Sequence, residues 1–282
     1  MKWILQISYI FIAFYIMGAS HLKADGDDEK AAKILSYNVL ADRTHLETRL
    51  PALFKILKDS HADIIALQEV APWFIEELEK QPWTRSYHSL MSQGKRSAPR
   101  GLLVLSKSPI TEAKADYLPS RQQRAYLIVE TLIQGVKVSV ANCHLDSPLE
   151  SGVIRAKQLD VYFQLLKEAE NAIFLGDFNF GDGERPETGK LRDSYVDSWK
   201  HTNQNEAGFT WDIEKSQMAR LGSFPKEKSR RLDRILIRSK RFSPLKTEIV
   251  GDTEIQENRG VFPSDHFGLL STMAAKQVVE PE

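Results

Sequence analysis

The sequence predicts an α/β domain in which β-strands alternate with helices, and three observations support this class. The first is a series of short apolar runs bounded by polar residues, which is the pattern of buried strands. The second is amphipathic helical periodicity between these runs, which favours layers of sheet and helix. The third is an ordinary composition, because 42% of the 282 residues are hydrophobic and 27% are charged, which excludes disordered and fibrous proteins.

Eight runs are predicted as strands, and several are apolar on both faces, as expected for strands that are covered on both sides. In chain order they are Lys33–Tyr37, Asp63–Leu67, Leu102–Ser106, Tyr126–Leu132, Val136–Asn142, Ala172–Leu175, Leu232–Ile237 and Phe267–Ser271. Helical periodicity predicts helices at Thr48–Lys58, Pro72–Lys80 and Val153–Ala169. In the third helix, Val153 is expected on the apolar face and Arg155 on the solvent face.

The first 24 residues are predicted to be an export signal. Lys2 precedes an uncharged apolar run from Trp3 to Met17, and small residues follow at 18–20. The run is short for a membrane span of about 20 apolar residues, so an uncleaved N-terminal anchor is the alternative. The chain is therefore expected to be exported, either periplasmic or secreted. Residues 25–32 are predicted to be a flexible lead, residues 33–274 one folded domain and residues 275–282 a tail.

Charge and cysteine content exclude some classes of site. Lys plus Arg and Asp plus Glu number 38 each, so a general polyanion-binding surface is not expected and any basic site must be local. Cys143 is the single cysteine, so the chain forms neither an internal disulfide nor a zinc site built from cysteines. A lone cysteine is compatible with an oxidising compartment, because it has nothing in the chain to pair with.

Polar clusters at the predicted strand boundaries are the most informative feature of the sequence. Ligand sites in layered α/β proteins collect at strand ends, where rigid elements hold polar groups around a crevice. Residues i and i+2 of an extended chain share a face, so Asp177 is expected beside Asn179, and His144 beside Asp146. The clusters lie at 36–38, 68–69, 142–146, 176–179 and 264–266, and Asp233 lies near the beginning of its strand.

These clusters combine hard oxygen ligands with two imidazoles, a set that suits Mg²⁺ better than Zn²⁺, with Mn²⁺ as a substitute. Phosphoryl transfer needs such a set. The cation neutralises phosphate charge, a carboxylate handles the attacking water, and donors hold the developing negative charge. The sequence therefore predicts a metal-dependent phosphoric ester hydrolase.

Six motifs in this order resemble those of the endonuclease/exonuclease/phosphatase superfamily. They are Asn38, Gln68-Glu69, His144, Gly176-Asp177-Phe178-Asn179, Leu232-Asp233-Arg234 and Ser264-Asp265-His266. The resemblance covers nearly all of residues 33–271, and it implies a four-layer sandwich of two mixed β-sheets flanked by helices. It also implies that residues 33–274 are a divalent-metal phosphohydrolase domain. Within the superfamily, the segments 144–147, 208–212 and 231–235 look like those of type 2 tyrosyl-DNA phosphodiesterases.

The resemblance implies a metal site and a water site. Glu69 is the expected principal Mg²⁺ ligand, with Asn38 and Asp265 nearby. Asp177 would orient or deprotonate the attacking water. Asn179 would hold this water or a phosphate oxygen.

It also implies donors for the phosphate. His266 and His144 would donate to the non-bridging oxygens as negative charge builds. Asp233 would hydrogen-bond one imidazole, expected to be His266, and fix its tautomer. Ser147 is a further candidate for contact with the phosphate, and Trp211 for stacking on a base or an aromatic leaving group.

A basic stretch at residues 226–241 has two interpretations. It is either a solvated face or, in part, a surface that binds the phosphates of a polyanion, with Arg234 as a substrate contact. Its cations are Lys226, Lys228, Arg230, Arg231, Arg234, Arg238, Lys240 and Arg241, and Lys95, Arg96, Arg100, Arg121 and Arg124 could add to it from loops.

Three functions stay open at this point. The first is an exported nuclease or DNA-end phosphodiesterase, favoured by the basic stretch and by residues 208–212. The second is a phosphomonoesterase, or a hydrolase of sphingomyelin, another phospholipid or an inositol phosphate, but the apolar hairpin usual in sphingomyelinases of this superfamily is absent from the sequence. The third is a binding module without catalysis, which the presence of every central motif disfavours. The expected partner is a nucleic acid or another phosphodiester, and no protein partner is implied for a chain expected to be monomeric.

Overall fold

The computed structural model describes residues 31–92, 101–255 and 260–275, together with a two-residue strand at Phe14–Tyr15. The rest of the predicted export signal, nearly all of the predicted tail and the loop cations Lys95, Arg96 and Arg100 lie outside the described residues. Within the described ranges, no helix has the length and hydropathy needed to cross a membrane. The first long strand begins at Ala31, so the last two residues of the predicted lead belong to the folded domain.

All eight predicted strands and all three predicted helices are present. The strands are β1 Phe14–Tyr15, β2 Ala31–Asn38, β3 Ile64–Val70, β4 His88–Ser92, β5 Gly101–Ser106, β6 Glu112–Tyr117, β7 Ala125–Ile133, β8 Val136–His144, β9 Ala172–Asp177, β10 Val196–Asp197, β11 Asp233–Arg238, β12 Phe242–Val250 and β13 Gly268–Ala275. The α-helices are α1 Leu46–Asp59, α2 Pro72–Glu79, α3 Gly152–Leu165, α4 Ser198–Thr202 and α5 Gln217–Gly222.

The strands form two mixed sheets. The first has the order β4-β5-β3-β2-β13-β12, with β1 added beside β4, and the second has the order β10-β11-β9-β8-β7-β6. Each sheet contains one parallel pair, β2 with β3 and β8 with β9. The carboxyl ends of these pairs lie side by side, so Asn38 is the neighbour of Gln68, and His144 is the neighbour of Asp177.

Three apolar clusters show how the layers are stacked. One fills the space between the sheets, with Ile34 and Ala66 from the first sheet and Val140 and Leu175 from the second. A second lies between the first sheet and helices α1 and α2, and a third lies between the second sheet and α3. The order helix, sheet, sheet, helix confirms the predicted four-layer sandwich.

The predicted faces of α3 are wrong at two residues. Val153 is exposed, whereas Arg155 is buried. Arg155 donates to Oε1 of Glu187 at 2.7 Å and to the backbone carbonyls of Asp146 and Pro148. A buried guanidinium is tolerated because its donors are paired in this way, and a hydrophobicity pattern cannot register such pairing.

Candidate active site

The site lies at one end of the space between the sheets, where polar side chains take the place of the apolar core, and this polar end is named the cleft. Ile34 on β2 faces the second sheet, and so does Asn38 four residues later, because alternate residues of a strand share a face. Leu175 and Asp177 on β9 face the first sheet in the same way. The polar groups therefore continue the inward faces of strands whose earlier residues form the core.

Asp177 is the central carboxylate of this site. It is 1% exposed. Its Oδ2 atom accepts a hydrogen bond from Nδ2 of Asn38 at 3.0 Å, and it lies 3.3 Å from Nε2 of His144 and 3.7 Å from Nε2 of His266. Its Oδ1 atom accepts the backbone N–H of Asn179 at 2.9 Å. Burial raises the pKa of Asp177, and the opposing charge of His266 limits the rise.

Asp233 is the β11 neighbour of Asp177, and its carboxylate contacts His266. Oδ2 of Asp233 is 2.9 Å from Nδ1 of the imidazole. Burial of His266 works against its charged form, but the charges of Asp233 and Asp177 outweigh burial and raise the pKa of His266 to about 10. The imidazole is therefore protonated at neutral pH and is a donor.

Trp211 packs against His266, with the ring centres 4.9 Å apart. It is only 7% exposed and its backbone pairs with Arg230, so it has little surface on which a base could stack. The preceding residue, Thr210, accepts the backbone N–H groups of Leu232 and Asp233 on its hydroxyl oxygen. The loop expected to bind substrate through Trp211 thus supports the His266–Asp233 pair from inside the fold.

Glu69 reaches the site through an irregularity in β3. Its φ is 58°, in the left-handed region, and the β3–β5 pairing shifts register between Leu67 and Val70. Such a bulge re-aims a side chain that strict alternation would turn away. Oε2 of Glu69 accepts the backbone N–H of Ala41 at 3.1 Å, and Oε1 lies 3.9 Å from Nε2 of His144.

Asp265 provides a second carboxylate close to Glu69. Burial, and then the negative charge of Glu69, raise the pKa of Asp265 to about 6 against the opposing charge of His266. Ser264 connects this segment to β2, because its hydroxyl lies 2.7 Å from the carbonyl oxygen of Asn38 and 3.2 Å from Oδ1 of Asp265. The three predicted metal ligands, Asn38, Glu69 and Asp265, therefore lie around one end of the cleft.

Among the described residues, one buried group of two aspartates and a histidine could hold a metal ion. Asp177, Asp233 and His266 each offer one ligand atom, and these atoms lie within 4.8 Å of one another. The hydrogen bond between Asp233 and His266 already engages two of the three groups. The oxygens of Glu69 and Asp265 are the better match for a hard divalent cation, because two mutually repelling carboxylates are stabilised by a cation between them.

Asn179 and Ser147 lie in different parts of the site. Asn179 has a φ of 54°, which asparagine tolerates well, and its Nδ2 donates to the carbonyl of Leu145 at 2.9 Å. Ser147 donates its backbone N–H to Oε1 of Gln122 at 2.7 Å, and Nε2 of Gln122 donates to its hydroxyl. Ser147 is thus partly exposed and bound to the β6–β7 loop.

Asp146 does not share the cleft with His144, although their spacing predicts that they point together. It is fully buried and holds the loop between β6 and β7. Its Oδ2 atom accepts the backbone N–H of Arg121 at 3.0 Å, and Ser120 and Gln158 donate to Oδ1. This segment leaves the regular β8 pairing after His144, so the alternation of a strand no longer applies.

Arg234 does not line the cleft. It is fully buried and donates to the carbonyl of Phe180 at 2.7 Å and to Oδ1 of Asp182 at 3.2 Å. Arg231 is also buried, between Asp182 and Asp197. The prediction of Arg234 as a substrate contact is therefore wrong, because a high local density of cations cannot reveal which of them are paired in the interior.

The remainder of the basic stretch does not form one surface either. Arg230 pairs with Glu184 and Glu227, and Arg238 donates to backbone carbonyls at the end of α3. Lys226 and Lys228 are exposed. Only part of the stretch is therefore available to a substrate.

Two arginines outside the predicted catalytic and metal-binding residues also shape the site. Buried Arg49 donates to the carbonyls of Asp42, Thr44 and Pro263, and so joins the segment after β2 to the one that carries Asp265. Arg124 lies with Nη1 2.9 Å from Nδ1 of His144. No local sequence pattern predicts this role of Arg49, because all three of its contacts are made to backbone carbonyls.

Comparisons with known proteins agree with this geometry. The model of the "Endonuclease/Exonuclease/phosphatase family" matches residues 35–266. Tyrosyl-DNA phosphodiesterase 2 of Danio rerio is 29% identical over 262 residues, and the match covers 89% of this chain and 68% of that protein. The protein of the same name from Rattus norvegicus is 26% identical over 257 residues, and the match covers 88% of this chain and 68% of that protein. A crystal structure of the Danio rerio enzyme complexed with a single-strand DNA product superposes with a TM-score of 0.74 at 28% identity, covering 86% of this chain and 98% of that one. The family match includes every motif of the site, and the chain belongs to the endonuclease/exonuclease/phosphatase family.

Proposed function

We propose that this chain is a divalent-metal-dependent phosphodiesterase that hydrolyses phosphoester bonds at nucleic-acid ends. The observation that carries the proposal is the position of Asp177. One of its oxygens faces the imidazoles of both His144 and His266 at the base of the cleft. A buried carboxylate between two donors can accept a proton from water while the donors contact a phosphate.

The residues of the cleft divide into a cation side and a proton side. Glu69 and Asp265, with the amide oxygen of Asn38, would hold a hard cation, and Mg²⁺ fits this oxygen set best. When bound, such a cation neutralises negative charge on the phosphoryl oxygens. The raised pKa of Asp265 supports this arrangement, since it reflects burial and repulsion by Glu69 that a cation would remove.

On the proton side, Asp177 orients the attacking water and accepts its proton. The Asn179 backbone and the Asn38 side chain fix the carboxylate by hydrogen bonds to its two oxygens. His266, charged through its pairing with Asp233, donates to a non-bridging oxygen as charge develops there. His144 is a second donor, with its Nε2 3.3 Å from the same oxygen of Asp177.

The surface beside the cleft favours a polymer with bases over a small phosphate. A side chain at Gly222, the last residue of α5, would lie 3.2 Å from the Trp211 ring and 3.9 Å from Oδ2 of Asp265, so α5 borders the site. The adjacent Leu221 is 81% exposed and Phe224 is 42% exposed. With the exposed cations at 226 and 228, this edge offers apolar contacts for bases and charge for phosphates. The similarity to tyrosyl-DNA phosphodiesterase 2 supports a DNA end as the substrate.

A Mg²⁺-dependent hydrolysis panel on the full chain tests the proposal. It contains single- and double-stranded DNA, RNA, a 5′-phosphotyrosyl oligonucleotide, sphingomyelin and inositol phosphates, each with Asp177→Asn as the inactive control. We expect turnover of a nucleic-acid substrate, and the preferred end distinguishes a nuclease from an end-processing phosphodiesterase. Turnover of lipid or inositol phosphate alone would overturn the substrate class, and equal activity in the Asp177→Asn variant would overturn the site.

Export is a separate part of the proposal, supported by the composition of residues 1–24. Cell fractionation followed by N-terminal sequencing of the recovered chain tests it. A mature N-terminus after Ser20 or Ala24 in the exported fraction would support export. An intact Met1 in the membrane fraction would indicate an anchor, and recovery from the cytoplasm would contradict export.

A further inference from the structure

The hydrogen bond between Arg124 and His144 determines where the imidazole carries its proton. Nη1 of Arg124 is 2.9 Å from Nδ1 of His144. A guanidinium has five N–H donors and no acceptor, and it stays protonated in proteins. Nδ1 must therefore accept this hydrogen bond, which leaves Nε2 as the protonated nitrogen of the ring.

The other side of the ring agrees with this tautomer. Nε2 of His144 lies 3.3 Å from Oδ2 of Asp177 and 3.9 Å from Oε1 of Glu69. Both neighbours are carboxylate oxygens, which accept hydrogen bonds when ionised. An N–H at Nε2 can donate to them, whereas a bare nitrogen would face two oxygens.

His266 differs from His144 in the partner of its Nδ1 atom. Its Nδ1 lies 2.9 Å from a carboxylate oxygen of Asp233, so Nδ1 is the donor there. One imidazole of the site is thus held by an arginine and the other by an aspartate. The arginine therefore excludes a proton from Nδ1 of His144, whereas the aspartate keeps a proton on Nδ1 of His266, and both histidines face Asp177.

The loop that carries Arg124 is fixed on the fold by several contacts. Asp146 accepts from Ser120 and from the backbone N–H of Arg121. Gln122 accepts from Nη2 of Arg124 at 3.3 Å and from the backbone N–H of Ser147. These contacts place the guanidinium beside His144 before any substrate is present.

We propose that Arg124 is a positioning residue that fixes His144 in the tautomer protonated at Nε2, so that this N–H donates into the cleft. His144 is then a hydrogen-bond donor towards a phosphate oxygen and not a base. The tautomer follows from the contacts of the protein alone. Its catalytic consequence rests on the proposed phosphodiesterase function.

Nitrogen-15 NMR of the histidine rings tests the tautomer, on the full chain without metal or substrate. In the wild type we expect a bare Nδ1 and a protonated Nε2 for His144. Arg124→Met should shift its Nδ1 signal towards the protonated form, whereas Arg124→Lys, which still donates, should keep the wild-type pattern. Arg121→Gln, at an exposed neighbour in the same loop, is the matched control and should change neither ring.

The His266 signals report whether the fold is preserved in each variant. A protonated Nδ1 on His144 in the wild type would overturn the proposal. So would an Arg124→Met spectrum identical to the wild type.

Hydrolysis gives a second and separable result. We expect Arg124→Met to lower kcat by about 10- to 100-fold with a smaller change in KM, and Arg124→Lys to recover most of it. Failure of the chain to turn over any substrate would contradict the proposed function but would leave the NMR result standing. The expected tautomer combined with unchanged kcat in Arg124→Met would overturn the catalytic consequence of the positioning.

Discussion

Asn38 donates to Asp177 across 3.0 Å, and this hydrogen bond joins the two sheets at the site, because Asn38 ends β2 and Asp177 ends β9. A second bond of the same kind lies beside it, where Nε2 of Gln68 donates to Oδ1 of Asn142 at 2.8 Å. Both pairs are buried. The central carboxylate is therefore positioned by the way the sheets face each other, so the packing of the whole sandwich determines the geometry of the site.

Replacement of Asp177 by asparagine should abolish hydrolysis without unfolding the chain. The amide has the size of the carboxylate but cannot accept a proton from water, so we expect kcat to fall by at least about 100-fold. Burial already disfavours the charged form of Asp177, so the neutral amide should change the free energy of unfolding by less than about 1 kcal/mol. Steady-state kinetics and urea unfolding measure the two quantities.

Asp193→Asn is the matched control, because this residue is exposed. It should keep both kcat and stability. Turnover by Asp177→Asn within a few-fold of the control would show that the site is misassigned.

Removal of the metal should abolish activity, and Glu69→Gln should weaken metal binding. A chelator is expected to stop turnover, and Mg²⁺ or Mn²⁺ in excess should restore it. Loss of one ligand charge should raise the Mg²⁺ concentration needed for half-maximal activity by at least about 10-fold. Activity titrated against Mg²⁺ in the wild type, in Glu69→Gln and in the exposed control Glu168→Gln measures this shift. Chelator-resistant turnover, or equal Mg²⁺ curves for both variants, would argue against Glu69 as a ligand.

The strands and helices that bury apolar surface were predictable from the sequence, and two of the strands that were not predicted share a physical reason. These strands, β6 and β12, lie at sheet edges, where one side is left to solvent and charged residues are tolerated. The β6 sequence is mostly charged and small, and β12 contains Pro244 at a register shift. Neither sequence has the apolar run that predicts a buried strand, although both strands extend the sheets.

The inner residues of the site were predictable because they follow strands, and its supports were not. Asp177 and His144 are the last residues of their strands, so period-two alternation and sheet order bring them together. Trp211, Arg234 and Arg124 depend on long-range contacts that no local pattern encodes. Arg234 in particular is buried against backbone and a carboxylate, although by sequence it is only another cation in a basic run.

Asp182 should make the stability of the fold depend on acid pH. Burial acts against its charge, but hydrogen bonds from Arg231 and the charges of Arg231 and Arg234 hold the pKa of Asp182 well below its usual range. An aspartate with a depressed pKa stabilises the fold above its unfolded pKa of about 4, and this contribution is lost as the pH falls further. We expect Asp182→Asn to cost about 1–2 kcal/mol at neutral pH, since solvent reaches 38% of this side chain and weakens the pair.

Urea unfolding at neutral pH and at a series of acid pH values checks this expectation. The difference in unfolding free energy between wild type and Asp182→Asn should shrink as the pH falls below about 4, because Asp182 of the unfolded chain takes up a proton there while Asp182 of the folded chain is still ionised. Asp193→Asn provides the exposed comparison and should show no such convergence. A difference that is constant across the series would mean that the carboxylate charge does not stabilise the buried arginines.

Gly176→Ala should destabilise the fold, because the backbone of the neighbouring strand leaves no room for a Cβ at this position. Gly176 has a φ of 130°, and a Cβ there would lie 2.1 Å from the carbonyl oxygen of Cys143 on the neighbouring strand. Relief of that overlap would push β9 away from β8 and displace Asp177, so we expect a loss of about 3 kcal/mol or more together with a loss of activity. Gly189→Ala is the control, because nothing lies within 4 Å of a Cβ at that position, and it should stay within about 1 kcal/mol of the wild type. Urea unfolding of both variants decides the matter, and equal midpoints would mean that β8 and β9 can separate at Gly176 without strain.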